Sequence, residues 1–382
     1  MGEHRNKERM HLANARGTEG CEETVWDEAL AQLGGDLLQS WRWGEFKRLQ
    51  GWSITRLHVT GPNGFAMAQL LVRRAGPLCL VYLPRGPVVA KDGTAATELL
   101  KAIDEACAQH RAVVLYVEPH RPLPATWMGA ENGFVCGPES FQSARTVKVP
   151  LLHDANLLAQ MRKDTRANLR HAERRGVIVE HSAITPAAMH TFYELLQETA
   201  RRNGFGIHGR SYYQDFLSVF GDQATLMFSK VDGVVTAGLI AARFGVEGRS
   251  MYAGSSTAHR TRGNTAVLRL EAMRWARAHG CHQFDLGGIA TGGPLAAENG
   301  HEGQRPQGAD LQGVRQFKVG FGGEVVAFPP TMERRYRPAM AWLIRRFHPR
   351  FRPAPVIALT FVFYAGTLLD GALSALLNIA GL

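Results

Sequence analysis

Residues 225–244 read TLMFSKVDGVVTAGLIAARF, and this stretch decides the fold. Two runs rich in apolar and β-branched residues flank the turn Asp232-Gly233, which predicts a β-hairpin. A third run, RSMYAGS at 249–255, predicts another strand, and a helix over about 265–279 leads to a last strand, HQFDLGG, at 282–288. The predicted order is three strands, one helix and one further strand.

The same order occurs about 169 residues earlier in the chain, so that Leu57 corresponds to Leu226 and Val113 to His282. An offset of this size indicates two equivalent domains rather than a solenoid. Three antiparallel strands, a helix and a further strand form the order found in a GNAT acyltransferase. The sequence therefore predicts an α/β (α+β) fold with two GNAT-like acyltransferase domains, whose mixed, mainly antiparallel sheets are flanked by helices.

Composition shifts and turn signals give the expected boundaries. Residues 287–310, rich in Gly and Pro, predict a mobile active-site loop, and residues 333–352 predict a basic helix. The expected segments are a flexible leader at 1–22, a first GNAT-like domain at 23–150 completed by about 318–352, a second at 151–317, and an apolar tail at 353–382.

Composition and charge narrow the functional classes. The 382 residues are 45% hydrophobic and 20% charged, which indicates a packed globular protein. A formal net charge of +10 favours phosphate-bearing or membrane-surface partners. Five widely spaced cysteines without a CxxC pair favour a reducing compartment and indicate neither a zinc site nor a disulfide framework, so no metal is expected.

A basic ridge follows the first domain. Arg162, Arg166, Arg170 and Arg174 are spaced four apart, and such like-charge pairs each cost roughly 0.2 to 0.5 kcal/mol in an isolated helix. Apolar residues on an adjacent arc predict a buried stripe, and Gly176 is placed to end the helix. The pattern leaves two interpretations open, a solvated basic face and a site for a polyanion.

Residues 38–52 contain three tryptophans around a single lysine, Lys47. On the pattern alone, Trp41, Trp43 and Trp52 are expected to anchor the core, and Lys47 is expected to be a surface residue whose stem packs on them.

Six motifs in one order carry a resemblance to a known family. They are SWRWGEFKRLQGW at 40–52, YLPRGP at 82–87, RKDTRANLRHAERRGV at 162–177, MYAGSS at 251–256, FDLGGI at 284–289 and RQFKVGFGGE at 315–324. Together they resemble the FemABX family of aminoacyltransferases over about residues 38–335. The resemblance implies two GNAT-like domains that move an amino acid from aminoacyl-tRNA to the stem-peptide amine of a peptidoglycan precursor, either lipid II or UDP-MurNAc-pentapeptide. Aminoacyl-tRNA would be a co-substrate, and no cofactor is expected.

The resemblance also implies roles for particular residues. Lys47 falls at the family lysine that contacts the diphosphate of the precursor, and His208 falls where many relatives have arginine. Tyr212 and Tyr252 match tyrosines that line the precursor channel. Lys318 matches the lysine near the acceptor end of the tRNA, where a fixed positive charge could stabilise the oxyanion.

Glu118 and the arginine ridge complete the set of expected site residues. Glu118, at the end of its strand, matches a family acidic position considered as the base that accepts a proton from the attacking ammonium. The arginine ridge is expected to bind tRNA phosphates.

Two alternatives come from other classes. HRTRGNTA at 259–266 approximates the turn with which GNAT enzymes hold the coenzyme A pyrophosphate, except that Thr265 takes the place of a small residue. The protein could therefore be an acyl-CoA N-acyltransferase. A non-catalytic tRNA- or membrane-binding module is the second alternative, against which Lys47, Tyr252 and Lys318 argue.

The apolar tail predicts a membrane contact. Residues 356–382 carry a single charge, Asp370, which splits the run, and an aspartate at mid-bilayer costs roughly 2.5 to 3.5 kcal/mol. Arginines upstream would lie against anionic headgroups. We therefore expect a helical anchor in the membrane interface rather than a full span, with the protein on the cytoplasmic face of the cell membrane.

Overall fold

The computed structural model describes residues 19–62, 64–75, 78–90, 95–137, 141–259, 261–289 and 311–347. Contacts divide the chain into two compact units: unit 1 contains the chain up to Pro138 together with Phe328–Ile344, and unit 2 contains Glu139–Ala327. Residues 1–18 of the predicted leader, the loop at 290–310 and the tail at 353–382 lie outside the described residues.

Unit 1 contains one sheet with helices. In chain order its elements are α1 (Glu19–Gln32), α2 (Trp41–Leu49), β1 (Ser53–Gly61), β2 (Gly64–Ala75), β3 (Leu78–Pro84), β4 (Val88–Val89), α3 (Ala96–Gln109), β5 (Val114–Glu118) and β6 (Phe134–Cys136). Unit 2 follows with β7 (Arg145–Pro150), α4 (Asp154–Ala159), α5 (Lys163–Arg174), β8 (Ile178–Ser182), α6 (Pro186–Asn203), α7 (Arg210–Phe220), β9 (Ala224–Val231), β10 (Val234–Phe244), β11 (Glu247–Ser255), α8 (Asn264–Ala278), β12 (Gln283–Gly288), α9 (Leu311–Val319) and β13 (Glu324–Ala327). The chain then returns to unit 1 with β14 (Met332–Arg335), and α10 (Pro338–Phe347) follows.

The two sheets repeat one topology. Within the described residues, the strand order is β1-β2-β3-β5-β14-β6 in unit 1, with β4 paired to β2, and β9-β10-β11-β12-β7-β13 in unit 2, with β8 beside β9. In each unit three antiparallel strands lead to a parallel pair, β3 with β5 and β11 with β12. The prediction of two GNAT-like α/β units with mixed, mainly antiparallel sheets is confirmed.

Local signals in the sequence account for the element boundaries. Asp232 and Gly233 both take positive φ, 49° and 80°, so the β9–β10 hairpin turns in the sense that matches strand twist. Helix α6 begins where Thr185 Oγ1 accepts a hydrogen bond from Ala188 N at 3.1 Å, and it ends at Gly204 in the left-handed region.

Each unit has its own apolar core between its sheet and one helix. In unit 1, α3 buries Leu99 and Ile103 against strand residues such as Leu70. In unit 2, α8 buries Met273 and Ala276 against strand residues that include Phe284. A fully buried side chain of this size contributes about 1.5 to 3 kcal/mol, so these faces supply much of the stability of each unit.

The prediction of a basic helix over 333–352 is wrong at its start. Residues 332–335 form β14, which pairs antiparallel with both β5 and β6, and the helix begins only at Pro338. A strand forms here because the two neighbouring strands pair with its backbone hydrogen-bonding groups, and because Met332 and Glu333 are buried. Proline, which lacks an amide hydrogen, suits the first turn of the helix that follows.

No helix among the described residues combines the length and apolarity that a bilayer crossing requires.

Candidate active site

The parallel pair of strands opens into a cleft in unit 2. Strands β11 and β12 pair only from Glu247 opposite Gln283 to Arg249 opposite Asp285, although β11 continues to Ser255. In unit 1 the equivalent pair, β3 and β5, stays in register to its end. Because the pairing of β11 with β12 ends before β11 does, the cleft between parallel strands that a GNAT-like acyltransferase would use lies in unit 2.

Lys318 lies at the mouth of this cleft. Its Nζ donates a hydrogen bond to the carbonyl oxygen of Gly288, at the end of β12, over 2.8 Å. The neighbouring Gly287 has φ +79°, a conformation that favours glycine. The FDLGGI and RQFKVGFGGE motifs, about 30 residues apart in the sequence, therefore meet at a single point.

The charge of Lys318 depends on its surroundings. Burial, and after it the Arg269 guanidinium, lower the pKa of Lys318 to about 7, while Asp285 acts in the opposite sense. Asp285 is itself engaged, because it accepts hydrogen bonds from Thr146 Oγ1 and from Gly287 N and lies 3.4 Å from Arg249 Nε. This result differs from the fixed positive charge that the sequence suggested, because a lysine with a pKa near 7 is half neutral at neutral pH.

Arg269 is the functional candidate that the sequence reasoning missed. Its guanidinium lies 4.9 Å from the centre of the Phe317 ring, and its Nη1 donates to the carbonyl of Thr265 at 3.3 Å. Burial lowers the pKa of Arg269 to about 10, which leaves it charged at neutral pH. The sequence held no signal for this contact, because Phe317 is far along the chain from α8.

The predicted channel residues come together in unit 2. The His208 and Tyr212 rings lie 3.9 Å apart between centroids, and Tyr252 Oη donates to Tyr212 Oη over 3.3 Å. Tyr213 joins the group, since its hydroxyl accepts from the His208 amide at 3.1 Å and its ring lies 4.9 Å from that of Tyr252. Such a cluster offers hydroxyl groups and one imidazole to a polar ligand.

A cavity of about 440 Å³ adjoins the start of α8. It is lined by Asn168, Ser255, Ser256, Thr261, Arg262, Gly263, Asn264, Thr265, Ala266 and Phe317. This is where an acyl-CoA enzyme would hold the pyrophosphate, on amides at the helix N-terminus.

The residues around the cavity do not fit a pyrophosphate in this arrangement. The amides of Asn264, Thr265 and Ala266 already donate hydrogen bonds within the turn. A Cβ atom on Gly263 would lie 2.1 Å from the carbonyl oxygen of Asn168, so α5 is packed directly on the turn. Three of the amides that an acyl-CoA enzyme would use at this position are therefore already engaged, which argues against the acyl-CoA alternative.

Helix α5 carries three of the four ridge arginines. Arg162 precedes the helix in an extended conformation, and Arg166 is half-buried and donates to the carbonyl of Ala159 at 3.2 Å. Arg170 and Arg174 are exposed. The buried stripe is confirmed at Met161, Thr165, Leu169 and Ala172. Gly176 has φ +66° and ends the helix as predicted.

Lys47 belongs to unit 1 and is buried. The expectation that Lys47 is a surface residue is wrong, because only 8% of it is exposed, and its Nζ lies 4.6 Å from the centre of Trp43 and 5.0 Å from that of Phe46. Positions 43, 46 and 47 share one face of α2, so the burial of the tryptophan carries the lysine with it. Burial, and after it the charge of Arg73, lower the pKa of Lys47 to about 7. The expected core positions of Trp41, Trp43 and Trp52 are confirmed.

Glu118 also lies in unit 1, at the last register position of the β3–β5 pair. Its carboxylate is buried and accepts hydrogen bonds from Tyr82 Oη at 2.5 Å and from Thr331 Oγ1 at 3.5 Å. These contacts tie β3, β5 and the segment before β14 together. Over the described ranges, no group of three or more His, Cys, Asp or Glu side chains is arranged to hold a metal ion.

The chain thus combines a duplicated GNAT-like fold, a half-buried lysine beside a parallel strand pair and a cluster of tyrosines. The FemAB family model matches residues 123–234 and 229–348, more than half of the chain. The chain belongs to the FemAB family, and the resemblance read from the six motifs is confirmed.

Individual relatives agree with this assignment. The chain is 31% identical over 218 residues to the lipid II:glycine glycyltransferase of Staphylococcus aureus, covering 52% of this chain and 51% of that protein. It thus spans about half the length of the curated relatives that it matches. The crystal structure of FemX is similar with a TM-score of 0.72 at 20% identity, over 89% of this chain and 100% of that one, which shows a common fold. A conserved protein of unknown function from Bacteroides thetaiotaomicron is similar with a TM-score of 0.51 at 11% identity, over 85% of this chain and 99% of that one.

Proposed function

We propose that the protein transfers an amino acid from aminoacyl-tRNA to the stem-peptide amine of a peptidoglycan precursor. The observation that carries the proposal is the placement of Lys318 at the mouth of the β11–β12 cleft, in a chain of the FemAB family. The relative from Staphylococcus aureus is named for its action on lipid II, which supports a lipid-linked acceptor here. The nucleotide-linked precursor, UDP-MurNAc-pentapeptide, is the other acceptor to be tested.

The chemistry is aminolysis of an activated ester. The acceptor amine attacks the aminoacyl carbonyl carbon, a tetrahedral oxyanion forms, and the ribose oxygen leaves as the amide is made. This reaction runs downhill, so positioning and charge stabilisation contribute more than a strongly activated nucleophile. Lys318 is proposed as the catalytic residue, because its amine lies among backbone groups at the end of β12.

Substrate contacts are proposed for two sets of residues. Lys47 would contact the diphosphate of the precursor, and a buried lysine is well suited to this because an anion restores its charged form. His208, Tyr212 and Tyr252 would line the precursor channel, where their hydroxyl and imidazole groups can bind sugar and peptide. Glu118 stays a second candidate for the proton acceptor, although its oxygens already bind Tyr82 and Thr331.

The ridge of arginines is proposed to bind tRNA. Arg170 and Arg174 project from α5, and Asn168 of the same helix lines the cavity at the start of α8. Phosphates on the ridge would therefore lie on the same unit that holds Lys318. The tail at 353–382 is proposed, from its composition alone, to hold the protein at the inner face of the cell membrane.

The test is direct transfer. Purified protein is incubated with labelled aminoacyl-tRNA and either lipid II or UDP-MurNAc-pentapeptide, and the branched product is identified by mass spectrometry. Labelled acetyl-CoA with the same acceptors serves as the control. Acetyl transfer to an amine with tRNA ignored would replace this proposal by the acyl-CoA alternative, and binding of tRNA without any transfer would favour the non-catalytic module.

A further inference from the structure

A group of charged side chains in unit 2 contains two more cations than carboxylates. Lys148 pairs with Glu247, and Arg249 pairs with both Glu247 at 2.9 Å and Asp285 at 3.4 Å. These two cations and two carboxylates balance one another. Among the described residues, neither Arg269 nor Lys318 has a carboxylate within ion-pair distance.

Arg269 is fixed next to Lys318 by an aromatic ring. Its guanidinium lies 4.9 Å from the centre of Phe317, the residue that directly precedes Lys318 on α9. One end of the guanidinium donates to the Thr265 carbonyl, and Nε has no hydrogen-bond partner in the described part of the chain. The positive charge of Arg269 is therefore held in a half-buried place, where no carboxylate of the described residues lies within ion-pair distance.

The charged form of Lys318 is favoured only weakly by its surroundings. Its amine donates to the Gly288 carbonyl at 2.8 Å, and a neutral amine can also donate this hydrogen bond, although an ammonium donates it more strongly. The nearby carboxylate, Asp285, is already shared by Arg249, Thr146 and the Gly287 amide.

We propose that Arg269 is a positioning residue that keeps Lys318 as a neutral amine, so that Lys318 accepts a proton from the attacking ammonium of the precursor. This inference rests on the proposed function. Two neighbouring cations, neither with a carboxylate of the described residues within ion-pair distance, cannot both stay charged at low cost when burial removes the water that would screen them.

The proton balance of the step is complete. The acceptor begins as R–NH3⁺ and ends as an amide nitrogen with one hydrogen, so two protons must leave it. One proton passes to Lys318 Nζ before the carbon–nitrogen bond forms, and Lys318 returns it to the ribose oxygen as the carbon–oxygen bond breaks. The second proton goes to water, and Lys318 is neutral again for the next cycle.

The direction of the lysine pKa agrees with this role. The pKa of Lys318 is lowered to about 7 by burial first and by Arg269 second, with Asp285 acting in the opposite sense. Removal of the Arg269 charge should therefore raise the pKa of Lys318. A base needs its neutral form, so the reaction should slow below this pKa and the acidic limb of the rate profile should move to higher pH in the variant.

The first experiment titrates Lys318 without substrates. The rate of acetic anhydride labelling at Lys318 is measured by mass spectrometry against pH in the full-length protein and in Arg269→Gln. We expect half-maximal labelling near pH 7 in the unsubstituted protein and about one pH unit higher in the variant, which is about a fivefold slower rate near pH 7. Arg269→Lys should keep the original midpoint, and Arg274→Gln on the same helix should not move it.

The second experiment measures transfer. The acidic limb of the pH profile of kcat/KM should move upward in Arg269→Gln and return in Arg269→Lys. The proposal would be overturned if Arg269→Gln left the pH midpoint of Lys318 labelling unchanged. It would also be overturned if the variant moved this midpoint but left the pH profile of kcat/KM unchanged. Arg269→Met, which keeps the apolar stem on Phe317, replaces the glutamine variant if that variant does not fold.

The two proposals fail in different ways. Labelling needs neither tRNA nor precursor, so a protein whose Lys318 titrates as expected but which transfers nothing would refute the proposed function and still support the effect of Arg269 on Lys318.

Discussion

The burial of Lys47 makes precursor affinity depend on pH. With a pKa of about 7, Lys47 is half charged near pH 7 and only about 3% charged near pH 8.5. A diphosphate favours the ammonium form, so the pKa of Lys47 is higher in the complex than in the free protein. Affinity should be constant below the free pKa and fall as pH rises through it, because binding must then take up a proton.

The size of the effect follows from these fractions. Between about pH 7 and pH 8.5 the dissociation constant for UDP-MurNAc-pentapeptide should rise about 16-fold, equal to about 1.6 kcal/mol. Isothermal titration calorimetry in two buffers of different ionisation enthalpy measures both the affinity and the number of protons taken up. That number should rise from about one half near pH 7 toward one near pH 8.5.

Two variants make the test specific. Lys47→Met should bind more weakly near pH 7 and lose the pH dependence. Lys101→Met, which removes an exposed lysine paired with Glu98, should behave like the unsubstituted protein. A flat affinity with no proton uptake in the unsubstituted protein would refute the assignment of Lys47 to the diphosphate.

Three further predictions use other parts of the chain. Lys318→Met should lower kcat by about 100-fold or more with little change in precursor affinity, while the control Lys230→Met should leave kcat unchanged. Equal losses in affinity and turnover would contradict the catalytic role. Arg170→Gln combined with Arg174→Gln should weaken tRNA binding and make the slope of log affinity against log salt concentration shallower by about 0.7 to 0.9 per lost contact, whereas Arg201→Gln should change neither. An unchanged slope would favour the interpretation of α5 as a solvated basic face. A chain ending at Pro353 should no longer sediment with membranes but should still act on a soluble precursor, and a full-length protein that stays in the supernatant without detergent would remove the membrane proposal.

The order of elements could be predicted because it is encoded locally. Turn residues such as Asp232-Gly233, caps such as Thr185 and Gly204, and alternating apolar residues each act within a few positions along the chain. The duplication made the prediction stronger, because each half supports the assignment of the other. Strand β14 was missed because four residues gain their structure from β5 and β6, which lie far away in the sequence.

The site was less predictable than the fold for a related reason. The burial of Lys47 had a local signal, since Trp43 and Phe46 share its helical face, but a lysine is ordinarily expected at the surface. Arg269 had no local signal at all, because its environment is made by Phe317 and by the strand ends around Lys318. The ionisation of a side chain depends on tertiary neighbours, which a linear pattern does not contain.

The position of β14 in the chain determines when the sheet of unit 1 can be completed during synthesis. A ribosome completes β5 about 200 residues before it reaches β14, which at roughly 5 to 20 residues per second is a delay of about 10 to 40 seconds. During that interval the nascent chain has β5 and β6 without the strand that joins them, and an unpaired strand edge is prone to pair with other chains. Unit 2 also waits, but for less time, because β7 is made about 130 residues before β12, the strand that pairs with it. Nascent chains stalled before residue 332 lack the strand that joins β5 to β6, and these should be the ones that chaperones hold.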